Sequence, residues 1–177
     1  FEFVRRVYLD LTGRIPSQAE LLAFTLDSAP AKRDRLVERL LSSDEFVVHF
    51  ANQLNALLLG RTAFPPPPDW TNWLRDALEA GQGWDAICKE LILPRSATPE
   101  DLGASEFLAR RISASNSLDT ITRDVTRLLL GVDMQCARCQ THPEIYDWEP
   151  ANYWGIAAFF NRTYVVEIGG KKLLAER

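Results

Sequence analysis

The sequence predicts a mostly α-helical protein, a multi-helix orthogonal bundle with a small C-terminal β-hairpin. Three observations predict it. Apolar residues recur at three- and four-residue spacing through most of the 177 residues. Capping and stop residues, among them Ser17, Gly13, Gly60, Gly81 and Gly131, punctuate those stretches. Two segments, 163–168 and 171–175, flank Gly169-Gly170 as the strands of a hairpin would.

The elements follow in order. Phe3, Val4, Val7, Tyr8 and Leu11 share one helical face, which Gly13 ends. Ser17 and Glu20 have capping-box spacing, so a second helix starts there with Leu21, Leu22 and Phe24 inward. Residues 31–41 form a charged amphipathic helix on Leu36, Val37, Leu40 and Leu41. Ser42-Ser43-Asp44-Glu45 reads as another capping box, opening a helix to about Leu59 with Phe46, Phe50, Leu54, Leu57 and Leu58 in phase. Pro65 to Pro68 are excluded from a helix and predict an extended polyproline connector. Asp69 then begins a helix carrying Trp70, Trp73, Leu74 and Leu78 on one side. Further helices are expected at about 84–93, 104–112 and 117–130, with a polar loop over 95–103. In the third of these, Asp119, Arg123, Asp124 and Arg127 are expected to face water. Pro150 suits the first position of a last helix, apolar nearly all round and therefore expected to be buried.

This is one domain's worth of chain, 1–177, with a possible sub-boundary at the connector 64–69. Hydrophobic residues make up 46% and charged residues 25%, as in ordinary globular proteins. A net charge of −4 argues against a nucleic-acid partner. No apolar run has the length of a membrane span. The start at Phe1 and the end inside an apparent strand predict a piece of a longer protein. The terminal strand is then expected to meet a later part of that chain or another subunit.

Cys136-Ala-Arg-Cys139-Gln140-Thr-His142-Pro143 is the segment with chemistry in it. C-x-x-C-H attaches c-type haem through two thioethers, and the His ligates iron. Here Gln140 stands where that His belongs. Cys88, on an apolar helical face, is expected to be a buried thiol.

Two stretches carry a family likeness. One is Phe3-Val-Arg-Arg-Val-Tyr-Leu-Asp-Leu-Thr-Gly-Arg-Ile-Pro16, followed by Lys32 to Leu41. The other runs from Leu130 through the Cys segment to Pro143, then Trp148 and Tyr153 to Phe160. The chain thereby resembles the planctomycete cytochrome-c-type domain, a family of unknown function found in large exported bacterial proteins. That resemblance implies a mostly α-helical fold, an extracytoplasmic location and a downstream domain. It implies no activity. The family's usual motif is C-x-x-C-H-x-H-P, so Cys136 and Cys139 match the thioether positions and His142 the second His. Gln140 departs from it, and an amide oxygen is a poor substitute for imidazole on iron.

Three readings of the segment stay open at this stage. The first is structural: Cys136 and Cys139 are a disulfide or packed thiols, and His142 bonds within its turn. The second is covalent haem c at Cys136 and Cys139, with an axial ligand from elsewhere, such as His142, His49 or Met134. The third is zinc on Cys136, Cys139 and His142, completed by His49, Cys88, Glu144 or Asp147. The structural reading leads, so no cofactor is favoured. His49 on its apolar helix is expected to be a satisfied, partly buried His. Glu144, Asp147 and Glu149 read as an exposed acidic turn. No Ser-His-Asp arrangement, nucleotide loop or H-E-x-x-H helix is present. The expectation is a non-catalytic module, with other protein subunits or a downstream domain as partners.

Overall fold

The computed structural model describes residues 1–60, 65–93, 102–112, 117–168 and 171–176. It is mostly α-helical with a two-stranded antiparallel sheet at the C-terminal end, as the sequence predicts. The expected Gly169-Gly170 turn and most of the 95–103 loop lie outside the described residues. The chain divides into two compact units, Phe1–Ala56 and Leu57–Arg177. The division falls in the last turn of α4, ahead of the connector at 64–69.

The first unit holds α1 (Glu2–Thr12), α2 (Gln18–Leu26), α3 (Lys32–Leu41) and most of α4 (Asp44–Leu58). Its core is Val4 and Tyr8 of α1 against Leu36 and Leu40 of α3, flanked by Phe3, Val7, Leu11, Leu21 and Phe24. Gly13 ends α1 in the left-handed region, φ 72°, its N–H donating to the Leu9 carbonyl. A Cβ there would overlap the His49 imidazole.

Arg14, next along, ties this unit together. Its Nη1 and Nη2 donate to the two Glu20 carboxylate oxygens, each at 2.9 Å. Its Nε reaches both Glu45 oxygens, at 3.0 and 3.1 Å, and its guanidinium lies over the Tyr8 ring. Glu20 also closes the predicted capping box, taking the Ser17 backbone N–H while its own N–H donates to Ser17 Oγ. Arg14, and after it the Ser17 donors, hold the Glu20 carboxyl far below the usual carboxylate range.

Two expectations for α4 are corrected. The second capping box does not form. Ser43 caps the helix, its Oγ accepting from the Phe46 N–H at 3.2 Å; this puts Phe46, not Glu45, at the third helical position, and Glu45 pairs with Arg14. The buried stripe is Val47, Ala51, Leu54 and Leu58, while Phe50 and Leu57 are exposed. Phe46 and Phe50 instead stack on each other one turn apart.

The second unit holds α5 (Pro68–Glu79), α6 (Trp84–Ile92), α7 (Leu102–Ile112), α8 (Ser117–Asp124) and α9 (Pro150–Phe160). Its strands are β1 (Thr163–Ile168) and β2 (Lys171–Glu176), with Val165 opposite Leu174. The predicted exclusion of all four prolines from helix holds only to Pro67, which is polyproline-like at φ −57°, ψ 139°. Pro68 is the first residue of α5, where its missing N–H costs nothing.

The hub of this unit is α7, against which α5, α6, α8 and both strands pack. Gly103 lets α5 come close, since a Cβ there would strike Trp73 and the Asp69 carbonyl. Arg111 is buried among these helices. Its Nε donates to Asp124 at 2.9 Å, and its two terminal nitrogens donate to the Phe107 and Leu58 carbonyls at 2.7 Å. A buried guanidinium needs such partners. Asp124 was expected to face water and is instead this partner, taking Arg123 as well.

The helix predicted over 117–130 changes character at Val125, and Val125–Leu129 is a π-helical turn. Within it Thr126 Oγ1 contacts the carbonyls of Thr122 and Arg123, at 2.9 and 3.0 Å. The last helix is not buried all round. Tyr153, Ala157 and Phe160 face inward, but Trp154 and Phe159 are 47% and 53% exposed. The helix packs on α8 and on the turn that carries the cysteines.

Gly13 and Gly81 both have positive φ, but only Gly13 faces an obstacle. Gly13→Ala is expected to cost more than the roughly 1–2 kcal/mol of left-handed strain alone. Gly81→Ala should show the strain alone. Urea unfolding of the two variants checks the order, and equal losses would contradict the His49 contact.

Candidate functional site

The cysteine segment is placed by a carboxylate on α8. Asp119 Oδ1 accepts from the Tyr153 hydroxyl of α9 at 2.8 Å. Its Oδ2 pairs with Arg138 Nη1 at 2.6 Å. Asp119 is therefore not simply turned to water, as the sequence predicts. Trp154 Nε1 adds a bond to the Arg138 carbonyl at 3.2 Å. Beneath these contacts Met134, Ala137, Tyr153 and Ala157 form a core, with Leu118, Val132, Trp148 and Ile156 around it. Met134, a candidate axial ligand in the sequence, is thus spent on packing.

Residues Gln135–Arg138 make a 3₁₀ turn entered from Asp133, whose Oδ1 accepts the Gln135 N–H. Ala137 points into the core and is fully buried. Cys136 and Cys139 are exposed free thiols, not the disulfide or packed thiols that the structural reading of the sequence expects, because Ala137 takes the inward position of the turn. The Cys139 N–H meets the Cys136 carbonyl, and side chains three apart eclipse in a 3₁₀ turn, so the two share one outward face. Gln140 follows them, also exposed.

His142 holds the next turn. Its N–H donates to the Trp148 carbonyl at 2.8 Å. Its Nδ1 accepts from the backbone N–H of Glu144 and of Ile145, at 3.2 and 3.1 Å, and the ring meets Trp148 edge-on. An accepting Nδ1 assigns the neutral ring's proton to Nε2. Glu144 and Asp147 are exposed. Glu149 caps α9 in a reciprocal pair with Asn152.

The other candidate ligands are elsewhere. His49 bonds Gln53 on α4 and covers Gly13. Cys88 on α6 is half-buried rather than fully buried, and burial pushes its thiol pKa up. Among the described residues, no three His, Cys, Asp or Glu side chains are grouped to hold a metal ion. Cavities of about 370 and 250 Å³ are lined by other parts of the chain, without a residue of the cysteine segment. The C-x-x-C-H pattern of haem attachment is incomplete in these residues. No imidazole follows Cys139, and His142 Nδ1 is committed to the backbone.

A family model matches residues 1–164. The chain belongs to the PSCyt2 family. That family is described as a protein of unknown function (DUF1549). The matched span contains both stretches that carry the resemblance to planctomycete cytochrome-c-type domains, but its description assigns them no chemistry. No curated protein and no solved structure matches the chain. No helix among the described residues of this PSCyt2 domain is long and apolar enough to cross a membrane.

Sequence reasoning missed Arg14, Arg111 and the Asp119–Arg138–Tyr153 cluster. The spacing of Asp119, Arg138 and Tyr153 follows no local period, so only the fold brings them together.

Burial, and then the bond to Asp119, pushes the Tyr153 phenol up to about 12. A raised value in the fold means that the neutral phenol stabilises the native state. That contribution is complete below the unfolded value of about 10 and is lost as pH rises towards the folded value. Stability should therefore fall across this alkaline window. Tyr153→Phe should flatten the fall without abolishing it, because Tyr8 is raised by burial in the same direction. Urea midpoints measured across the window test this, and an unchanged slope in the variant would contradict the assignment.

Proposed function

We propose that this PSCyt2 domain is a non-catalytic extracytoplasmic module acting as a scaffold or partner-binding subunit. Its cysteine segment is a structural corner of the fold. The observation that carries this reading is that the segment's recognition groups are used internally. Arg138 serves Asp119, His142 Nδ1 serves its own turn, and Gln140 occupies the ligand position. The extracytoplasmic location rests on the family resemblance. The partners are other protein subunits or a downstream domain of the same chain. Exposed Trp154 and Phe159 on α9 support a protein partner, since large aromatics are enriched at such interfaces.

The absorption spectrum and metal content of the natively expressed protein test this. The expected result is no Soret band and less than stoichiometric zinc. A haem signal that survives denaturation would overturn the reading in favour of an electron-transfer domain with haem c at Cys136 and Cys139. One zinc per chain, lost in Cys139→Ala, would overturn it in favour of a zinc domain on Cys136, Cys139 and His142.

A further inference from the structure

A second candidate site lies in the first unit, between α2 and α3. Lys32, Arg35, Leu36 and Arg39 fall at spacings of three and four, so they share one face of α3. That face and the end of α2 enclose a half-open cavity of about 370 Å³. Ala23, Phe24 and Leu36 give it an apolar side. Asp27, Lys32, Arg35 and Arg39 give it a charged side.

The charges do not cancel. Asp27 is paired with Arg35 at 2.6 Å. Lys32 lies over the Phe24 ring and donates to two backbone carbonyls, Phe24 at 3.3 Å and Asp27 at 2.9 Å. Arg39 donates to the Tyr8 hydroxyl at 3.2 Å. Among the described residues, neither Lys32 nor Arg39 has a carboxylate partner within ion-pair distance. An ammonium has three N–H donors and a guanidinium five, so both retain donors for a ligand.

We infer that this cavity binds a small amphipathic carboxylate. Its head sits between Lys32 and Arg39, and its short apolar tail lies against Ala23, Phe24 and Leu36. The volume is near the lower end of ligand pockets, which fixes the ligand as small. Asp27 and Arg35 offset each other, so Lys32 and Arg39 carry the net positive charge of the wall and favour an anionic head over a neutral one. The apolar side gives a tail an environment that an inorganic anion cannot use. This site is independent of the cysteine segment and goes beyond the scaffold reading.

The test is an NMR titration of the intact chain with hexanoate, with hexanamide and inorganic phosphate as controls. Hexanoate should shift backbone amides of α2 and α3 saturably, and hexanamide should not. Arg39→Gln should weaken hexanoate binding about tenfold, the loss of one charge-assisted contact. Ala23→Leu, at an exposed position, should fill the apolar side and block binding while leaving the thermal midpoint unchanged. Equal shifts from hexanamide would overturn the proposal. So would phosphate shifts as large as those of hexanoate, or an Ala23→Leu chain that binds as tightly as the unaltered one. No saturable shift at millimolar hexanoate would also overturn it.

Discussion

The position of the cysteine segment depends on one carboxylate. Asp119 takes a phenol from α9 and a guanidinium from the 3₁₀ turn, and so fixes both against α8. The Tyr153 side chain is almost fully buried, so its hydroxyl must find an acceptor within the protein. Arg138 is half exposed, so its pairing orients the turn more than it stabilises it. With Ala137 seated in the core below, the two thiols have no direction left but outward.

That arrangement changes the meaning of Gln140. In the sequence it is a substitution in a haem-attachment pattern. In the fold it is an exposed residue beside two exposed thiols, on a corner whose polar groups serve the backbone and each other. Trp154 and Phe159 of α9 are exposed in the same part of the chain.

Much of the fold was legible in the sequence, for local reasons. Gly13 as a stop, Ser17 with Glu20 as a capping box and Pro150 as a helix start depend on neighbours within four residues. Two of the errors involve distant partners. Glu45 has the spacing of a capping residue but pairs with Arg14, and Asp124 has the look of a surface charge but neutralises the buried Arg111. The π-helical turn at Val125, where the Leu130 N–H reaches back to the Val125 carbonyl, leaves no mark in apolar periodicity. At the candidate site the sequence indicated the exposed acidic turn and a His142 bonded near Pro143. It could not indicate Asp119, because three side chains far apart in sequence meet only through tertiary packing.

The central claim is that this corner is held by Asp119 and not by anything bound to the cysteines. The most direct measurement is the unfolding free energy of two variants of the native protein, Asp119→Ala and the double variant Cys136→Ser with Cys139→Ser. The account predicts a loss of about 1–3 kcal/mol for Asp119→Ala, which leaves the buried Tyr153 hydroxyl without its acceptor. It predicts a change within about 0.5 kcal/mol for the exposed cysteines. A double serine variant that loses more stability than Asp119→Ala would contradict it.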